Sequence, residues 1–315
     1  MSTVSQNGTV TLSPEAIAFE NLLSEGRNKP TDLDILRLSS ERLHRGAREP
    51  EGVTYREVAA NGIPAIWVQP AAADNSFVLL HAHAGGSVTT SAAVDRKLAG
   101  HIATAVGVPA LVLDYRRAPE NKYPAQLDDV EAAFEWLGSQ GYEPKNIVTI
   151  GHSIGGFLSA AIALRLRDAG KALPGAIVSI SPWCDLQIAN ATIEATADTD
   201  KLLSRRVLEF FRDAWIGGTD IAADDLRINL NRADLSGLPP TLVSWGTYEV
   251  LAGEGEEFAA RLQSAGVPTE VLPVAGGQHS YVWGAGRVPE SDAAIAHIAQ
   301  WLRSALPIKV VESAR

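Results

Sequence analysis

Five short apolar runs, none of them alternating strictly with polar residues, constrain this chain more than any other feature: Phe77 to Leu80, Ala110 to Leu113, Ile147 to Ile150, Ala176 to Ile180 and Thr241 to Trp245. A strand with one wet face alternates, whereas a strand covered on both faces reads as a continuous run. Stretches with helical spacing lie between the runs, over Asp128 to Leu137, Phe157 to Ala169 and Gly255 to Ala265. Each meets a glycine, at Gly138, Gly170 and Gly266, the residue that most easily takes the left-handed stop. Upstream, Val53 to Ala60 and Ile63 to Val68 flank Asn61-Gly62, a two-residue hairpin signal. Pro64 suits an edge strand or a strand start. A hairpin followed by repeated β-α units predicts an α/β sandwich with a mixed, mainly parallel sheet.

Two segments fall outside that rhythm. Residues 1–50 read as a helical preamble: Ser13-Pro14-Glu15 is a helix start. Ile17, Phe19, Leu22 and Leu23 follow at helical spacing, and Gly26 is the expected stop. Residues 187–230 contain no clear strand, but Ser204 to Trp215 reads as an amphipathic helix with Val207, Leu208, Phe210, Phe211 and Trp215 on its apolar side. A helical insertion between sheet strands usually covers the strands' carboxyl ends, where α/β sites lie. The expected organisation is an N-terminal helical cap segment (1–50), a first part of the core (51–186), a helical cap insertion (187–230) and a second part of the core (231–315).

Composition removes several classes of function. The net charge of −10 repels phosphate backbones and anionic lipid, so neither nucleic acid nor a membrane surface is an expected partner. The single cysteine, Cys184, excludes an intramolecular disulfide framework and a cysteine-based zinc site. No apolar run approaches the 18 residues or so of a membrane span. Met1 to Val10 lacks the basic-then-apolar layout of a secretory leader. A soluble, cytoplasmic protein is the expectation.

The chemistry centres on Gly151-His152-Ser153-Ile154-Gly155-Gly156, between a strand run and a helical stretch. That setting is what a nucleophile elbow needs: a serine on a strained strand-to-helix turn, with glycines two residues to either side where a side chain would collide. His83-Ala84-Gly85-Gly86 follows the Phe77 to His81 run. The N–H groups of Gly85, Gly86 and Ile154 are the candidate donors for the oxyanion that forms during acyl transfer. A serine needs a base. Of the seven histidines, those beyond the last core strands are His279 and His297. His279, in Gly276-Gly277-Gln278-His279-Ser280-Tyr281, fits the mobile loop after a strand, whereas His297 sits in a helical pattern. The base needs an acid to fix its tautomer. Glu249, just past Thr241 to Trp245, is the first candidate, and Glu254 in the next helix start is the alternative.

Together these segments resemble the α/β-hydrolases, and the upstream His-Ala-Gly-Gly segment narrows the resemblance to the hormone-sensitive-lipase-like esterases of bacterial family IV. Asp114-Tyr115-Arg116-Arg117-Ala118-Pro119-Glu120, Tyr123-Pro124-Ala125, Ser181-Pro182-Trp183-Cys184-Asp185-Leu186 and Leu235-Ser236-Gly237-Leu238-Pro239-Pro240-Thr241 are similar to that family's motifs. The nearest flavour is the subgroup of lactone hydrolases and acetyl esterases, which tolerates glutamate as the acid. The resemblance implies hydrolysis of small carboxylic esters by Ser153, His279 and Glu249, a helical cap, no cofactor and no metal, and a possible homodimer through the edge strand Thr269 to Val274. Its departures are Ala84 for the first glycine of the oxyanion segment, His152 before the serine, Ile154 after it and Glu249 for aspartate. His83, Ala84, His152, Phe210, Phe211 and Trp215 are the expected substrate-binding residues. His81, His83 and His152 read as hydrogen-bonding groups rather than metal ligands. The same machinery also suits a cyclic ester, an amide or a carbamate. A non-catalytic receptor would be expected to lack a triad member, and an epoxide or haloalkane hydrolase would carry aspartate at the elbow.

Overall fold

The structure, a computed structural model, describes residues 10–25 and 32–311 and the short strand Thr3–Val4; Gly26, the expected stop of the first helix, lies outside them. Strands β1 (Thr3–Val4) and β2 (Val10–Thr11) pair antiparallel. Helix α1 (Pro14–Ser24) starts where expected, with the Ser13 hydroxyl accepting from Ala16 N–H at 3.1 Å. Helix α2 (Leu33–Ser40) is capped by Asp32, which accepts from Ile35 N–H. The hairpin follows as β3 (Val53–Ala60) and β4 (Ile63–Pro70), paired with Ala60 opposite Ile63. Asn61 and Gly62 both take positive φ, 49° and 86°, as a turn matched to strand twist requires. Pro64 is the second residue of β4, but this strand is not at the edge. It lies between β3 and a later strand whose pairing begins at Ala65, so the missing N–H breaks no ladder bond on that side.

The repeating part then runs β5 (Val78–Ala82), α3 (Ala92–Val106), β6 (Ala110–Leu113), α4 (Ala125–Ser139), β7 (Ile147–His152), α5 (Ile154–Asp168) and β8 (Ala176–Ile180). The insertion carries α6 (Thr192–Ala195) and α7 (Arg205–Ile216). The chain closes with β9 (Thr241–Gly246), α8 (Ala252–Ser264), β10 (Thr269–Val274) and α9 (Pro289–Ala305). The sheet order is β10-β9-β8-β7-β5-β6-β4-β3. The pairs β3/β4 and β4/β6 are antiparallel and all others parallel, which is the mixed, mainly parallel sheet expected. Strands β5 to β9 are buried along their whole length, consistent with their unbroken apolar character. Gly170 and Gly266 follow their helices with φ of 66° and 76°. Gly138, by contrast, lies inside α4, and the left-handed turn comes at Gly141.

Two features outside the sheet shape its carboxyl edge. Arg37 of α2 donates from Nε to Val88 O at 2.9 Å and from Nη2 to Ala118 O at 2.8 Å, and it pairs with Glu120. This fixes α2 over the loops that follow β5 and β6. Trp215, at the end of α7, is wholly buried. Its Nε1 donates to Gln126 Oε1 at 2.7 Å, and its ring meets Tyr123 and Phe157 edge-on. Trp215 thus fastens the insertion to the core and does not line the cavity described below, in contrast to the sequence expectation: in the last turn of α7 its ring packs on Tyr123 and Phe157. Among the described residues no helix is long and apolar enough to cross a membrane.

Candidate active site

Ser153 joins β7 to α5 with φ 58° and ψ −126°, a backbone conformation that costs a non-glycine residue of order 1–3 kcal/mol and persists only where its surroundings dictate it. Here Ser153 N–H donates to Ile180 O at 2.9 Å, and Ser153 O accepts from Gly156 N–H at 3.0 Å. The flanking glycines are sterically required. A Cβ on Gly155 would lie 2.0 Å from Ala82 O, and one on Gly151 would lie 2.5 Å from Gly155's backbone. The Ile154 side chain turns into the core, leaving its N–H as one of the unpaired donors at the start of α5.

The loop after β5 carries Gly85 at φ 101° and Gly86 at φ 61°. Its internal bonds use the Gly85 carbonyl, which accepts from Val88 and Thr89 N–H. Among the described residues, the N–H groups of Gly85, Gly86 and Ile154 donate to no protein acceptor. His83 supports this loop from below. Its Nδ1 lies 2.7 Å from Ala84 O, its ring stacks on Tyr115 at 4.0 Å, and the Tyr115 hydroxyl donates to His83 O at 2.8 Å. Burial lowers its pKa to about 4, so the ring is neutral. Nδ1 then donates to the carbonyl, while Nε2 is buried with no hydrogen-bond partner among the described residues.

His279 follows β10 on the glycine-bearing loop, and Glu249 follows β9. Glu249 Oε2 lies 3.3 Å from His279 Nδ1, with both side chains buried. The angle falls short of a hydrogen bond, so among the described residues Nδ1 and both Glu249 oxygens have no hydrogen-bond partner. Burial raises the Glu249 pKa, while His279 and the Ser181 hydroxyl pull it down. Asp200 is a neighbour that the sequence reading missed. It is buried in the insertion, where Oδ1 accepts from Leu202 and Leu203 N–H at 2.7 Å each and Oδ2 from Val250 N–H at 2.9 Å. It therefore ties the insertion to the residue after Glu249. Burial raises its pKa against the pull of His279 and those N–H groups. Its only sequence signal is the local habit of aspartate to bond N–H groups two and three residues on. Glu254, the alternative acid, faces elsewhere: its Oε2 accepts from Cys184 and Asp185 N–H at 2.7 and 2.9 Å. His297 pairs with Glu270 at 2.7 Å. Cys184 is buried, and burial together with Glu254 holds its thiol well above the ordinary range, which suits no nucleophile.

Ser153, His279, Ala84, Gly85 and Gly86 border one cavity of about 430 Å³, within the range of small-molecule sites. The insertion supplies Leu202, Val207, Phe210 and Phe211 to its wall, and the N-terminal segment supplies Leu36, Ser40 and Leu43. Trp183 and Trp283 complete it, and neither was singled out from sequence. Phe211 rests directly on the Gly85-Gly86 loop, where a Cβ on Gly86 would lie 2.3 Å from its ring. Two expected substrate contacts are corrected here besides Trp215. His83 lies under the loop and His152 behind the elbow, and neither reaches the cavity. The residue before an elbow serine is the last of a buried strand, so its side chain enters the core. His152 and His81 both donate from Nε2 to Asp95 Oδ2, at 2.7 and 2.9 Å, and Trp283 Nε1 donates to Oδ1 at 2.7 Å. Burial alone would raise the Asp95 pKa, but the two histidines outweigh it and hold the carboxylate ionised. His81, Asp95 and His152 bring three metal-capable atoms within 4.8 Å, yet each already serves a hydrogen bond within the cluster.

Residues 79–283 match the family model described as the alpha/beta hydrolase fold. The acetyl-hydrolase of Streptomyces hygroscopicus is 34% identical over 275 residues, spanning 82% of this chain and 91% of that one. Esterase LipU of Mycobacterium tuberculosis is 31% identical over 259 residues, 80% and 86% of the two chains. Among solved structures, an esterase from the bacterial hormone-sensitive lipase family superposes with a TM-score of 0.89 at 31% identity, covering 93% of this chain and 99% of its own.

Proposed function

The chain belongs to the hormone-sensitive-lipase-like esterases of the α/β-hydrolase fold and is a carboxylic ester hydrolase, and from that premise we propose that Ser153, His279 and Glu249 cleave the ester through an acyl-enzyme. The observation that carries this reading is the convergence, on one cavity, of a serine in a strained elbow, a histidine next to a buried carboxylate, and loop N–H groups without protein acceptors.

Ser153 Oγ attacks the acyl carbon and His279 takes its proton. The carbonyl electrons move to the oxygen, which accepts hydrogen bonds from Gly85, Gly86 and Ile154 N–H. Each such donor is worth roughly 2.7–4 kcal/mol at the barrier. Glu249 holds the imidazole in the tautomer that leaves Nε2 basic and then stabilises the imidazolium. The tetrahedral centre collapses, His279 protonates the leaving alcohol, and the acyl group stays on Ser153. Water then repeats the sequence with His279 as base and releases the carboxylic acid. In this reading residues 187–230 and the N-terminal segment act together as the cap. The apolar walls from both, and relatives named acetyl-hydrolases, support a preference for short acyl chains.

Hydrolysis of p-nitrophenyl esters from acetate to decanoate tests the proposal, with Ser153→Ala and Glu249→Gln beside wild type. The expected result is turnover that falls with chain length, lost by about 10³-fold or more in Ser153→Ala and lowered at least a hundredfold in Glu249→Gln. Turnover that survives Ser153→Ala removes the serine mechanism. No turnover of any ester by wild type moves the substrate to a cyclic ester, amide or carbamate.

A further inference from the structure

We infer that Ser280, His152 and Asp95 are positioning residues that brace the base against the nucleophile, through a hydrogen bond between the chain neighbours of the two. The inference rests on Ser153 and His279 being the reacting pair. His152 precedes Ser153 and Ser280 follows His279. Ser280 Oγ lies 2.8 Å from His152 Nδ1. Strands β8 and β9 lie between the strands from which these two residues extend, so this bond crosses the site beneath the cavity and joins its two working ends directly.

The direction of each proton follows from the acceptors. Asp95 is a buried carboxylate and can only accept, so His152 Nε2 carries a hydrogen and donates it at 2.7 Å. The ring is wholly buried and burial disfavours its charged form, which leaves Nδ1 bare. Nδ1 therefore accepts, and the Ser280 hydroxyl donates. His81 and Trp283 donate to the same carboxylate. Trp283 also meets the His152 ring edge-on at 4.8 Å, so neither Asp95 nor His152 has room to turn. Ser280 N–H in turn donates to Ser181 Oγ at 3.3 Å.

Ser280 itself sits at φ 55°, ψ 39°, a left-handed conformation that a serine holds only under constraint. Its backbone gains nothing from being serine there, because glycine takes that conformation without strain. What serine adds is the hydroxyl that His152 holds.

That contrast supplies the test. Ser280→Ala removes the hydroxyl and keeps the strain; Ser280→Gly removes both. With p-nitrophenyl acetate, both variants are expected to lose about tenfold to a hundredfold in kcat, since a displacement of the base by about 1 Å can cost that much. Their KM stays within about threefold of wild type, because Ser280 does not border the cavity. A Ser280→Gly variant with wild-type kcat overturns the inference, as does a loss that appears in KM alone. Amide hydrogen exchange over residues 276–284 is measured on the same variants and needs no turnover: faster exchange in both is expected, and unchanged exchange counts against the brace. An inactive wild type would sink the esterase reading, while the exchange rates would still decide this one.

Discussion

Glu254 offers a test of the core in which the sign and size both come from the structure. It is wholly buried at the start of α8, with Oε2 accepting two N–H bonds and Oε1 without a partner. Burial raises its pKa from an ordinary 4.5 to about 8, against the pull of the Asp185 and Cys184 N–H groups and with the help of the Asp185 and Glu257 charges. An unfolded chain gives up this proton near pH 4.5, whereas the native protein keeps it to about pH 8. Between those values the native state binds one proton more, so its stability falls as pH rises. At about 1.4 kcal/mol per pH unit the loss across the interval is on the order of 5 kcal/mol. Glu254→Gln keeps an oxygen for the two N–H donors and an N–H in place of the protonated oxygen, and it cannot ionise. Thermal unfolding of both proteins from pH 5 to 9 isolates this one group, because every other titration is shared. The two Tm values should coincide near pH 5 and diverge to roughly 10 °C by pH 8.5, the variant being the more stable, at about 2 °C per kcal/mol for a chain of this size. The kcat on p-nitrophenyl acetate at neutral pH should stay within about twofold. Parallel Tm curves would refute the reasoning and mean that the Glu254 carboxylate is solvated or paired in solution.

Two further substitutions probe the cavity and its frame. Gly86→Ala places a Cβ 2.3 Å from the Phe211 ring at a positive φ; steady-state kinetics should show kcat on p-nitrophenyl acetate lowered about a hundredfold or more, the cost of losing an oxyanion donor. Adding Phe211→Ala should recover only part of that loss, since the backbone strain remains. Trp215→Phe leaves the buried Gln126 Oε1 without its donor and should cost about 1–3 kcal/mol in denaturant unfolding, with KM unchanged because the ring is off the cavity.

The centre of the sheet was readable because β5 to β9 are buried on both faces and so lose the alternation that would mimic a surface strand or helix. The elbow was readable because the glycines at 151 and 155 answer to collisions with backbone atoms, which no neighbouring side chain can relieve. Glu249 and His279 were singled out by chain order, and the structure brings their side chains to 3.3 Å. Side-chain direction was not. His83, His152 and Trp215 each border a motif that faces the cavity while their own side chains enter the core, and spacing alone does not reveal the turn between one residue and the next. Asp200 was invisible for a different reason: its bonds to Leu202 and Leu203 are local, but its bond to Val250 exists only after the insertion folds back. α3 also escaped notice, since its start at Ser91 and stop at Gly107 bracket a stretch rich in alanine with little periodic contrast.

Most of the cavity wall and the groups proposed to react come from different parts of the chain. Ser153, His279 and the Gly85-Gly86 loop, and with them Trp183 and Trp283 of the wall, lie in segments that follow sheet strands, whereas Leu36, Ser40 and Leu43 precede the sheet and Leu202 to Phe211 interrupt it. Heritable variation in those parts of the wall can therefore change which molecules enter while the atoms proposed to react keep their inherited positions. Phe211 is the exception, since it touches Gly86 itself. A library diversified at 36, 43, 202, 207 and 210, with 211 held fixed, should yield altered selectivity far more often than loss of turnover, and one that includes 211 should reverse that ratio at that position.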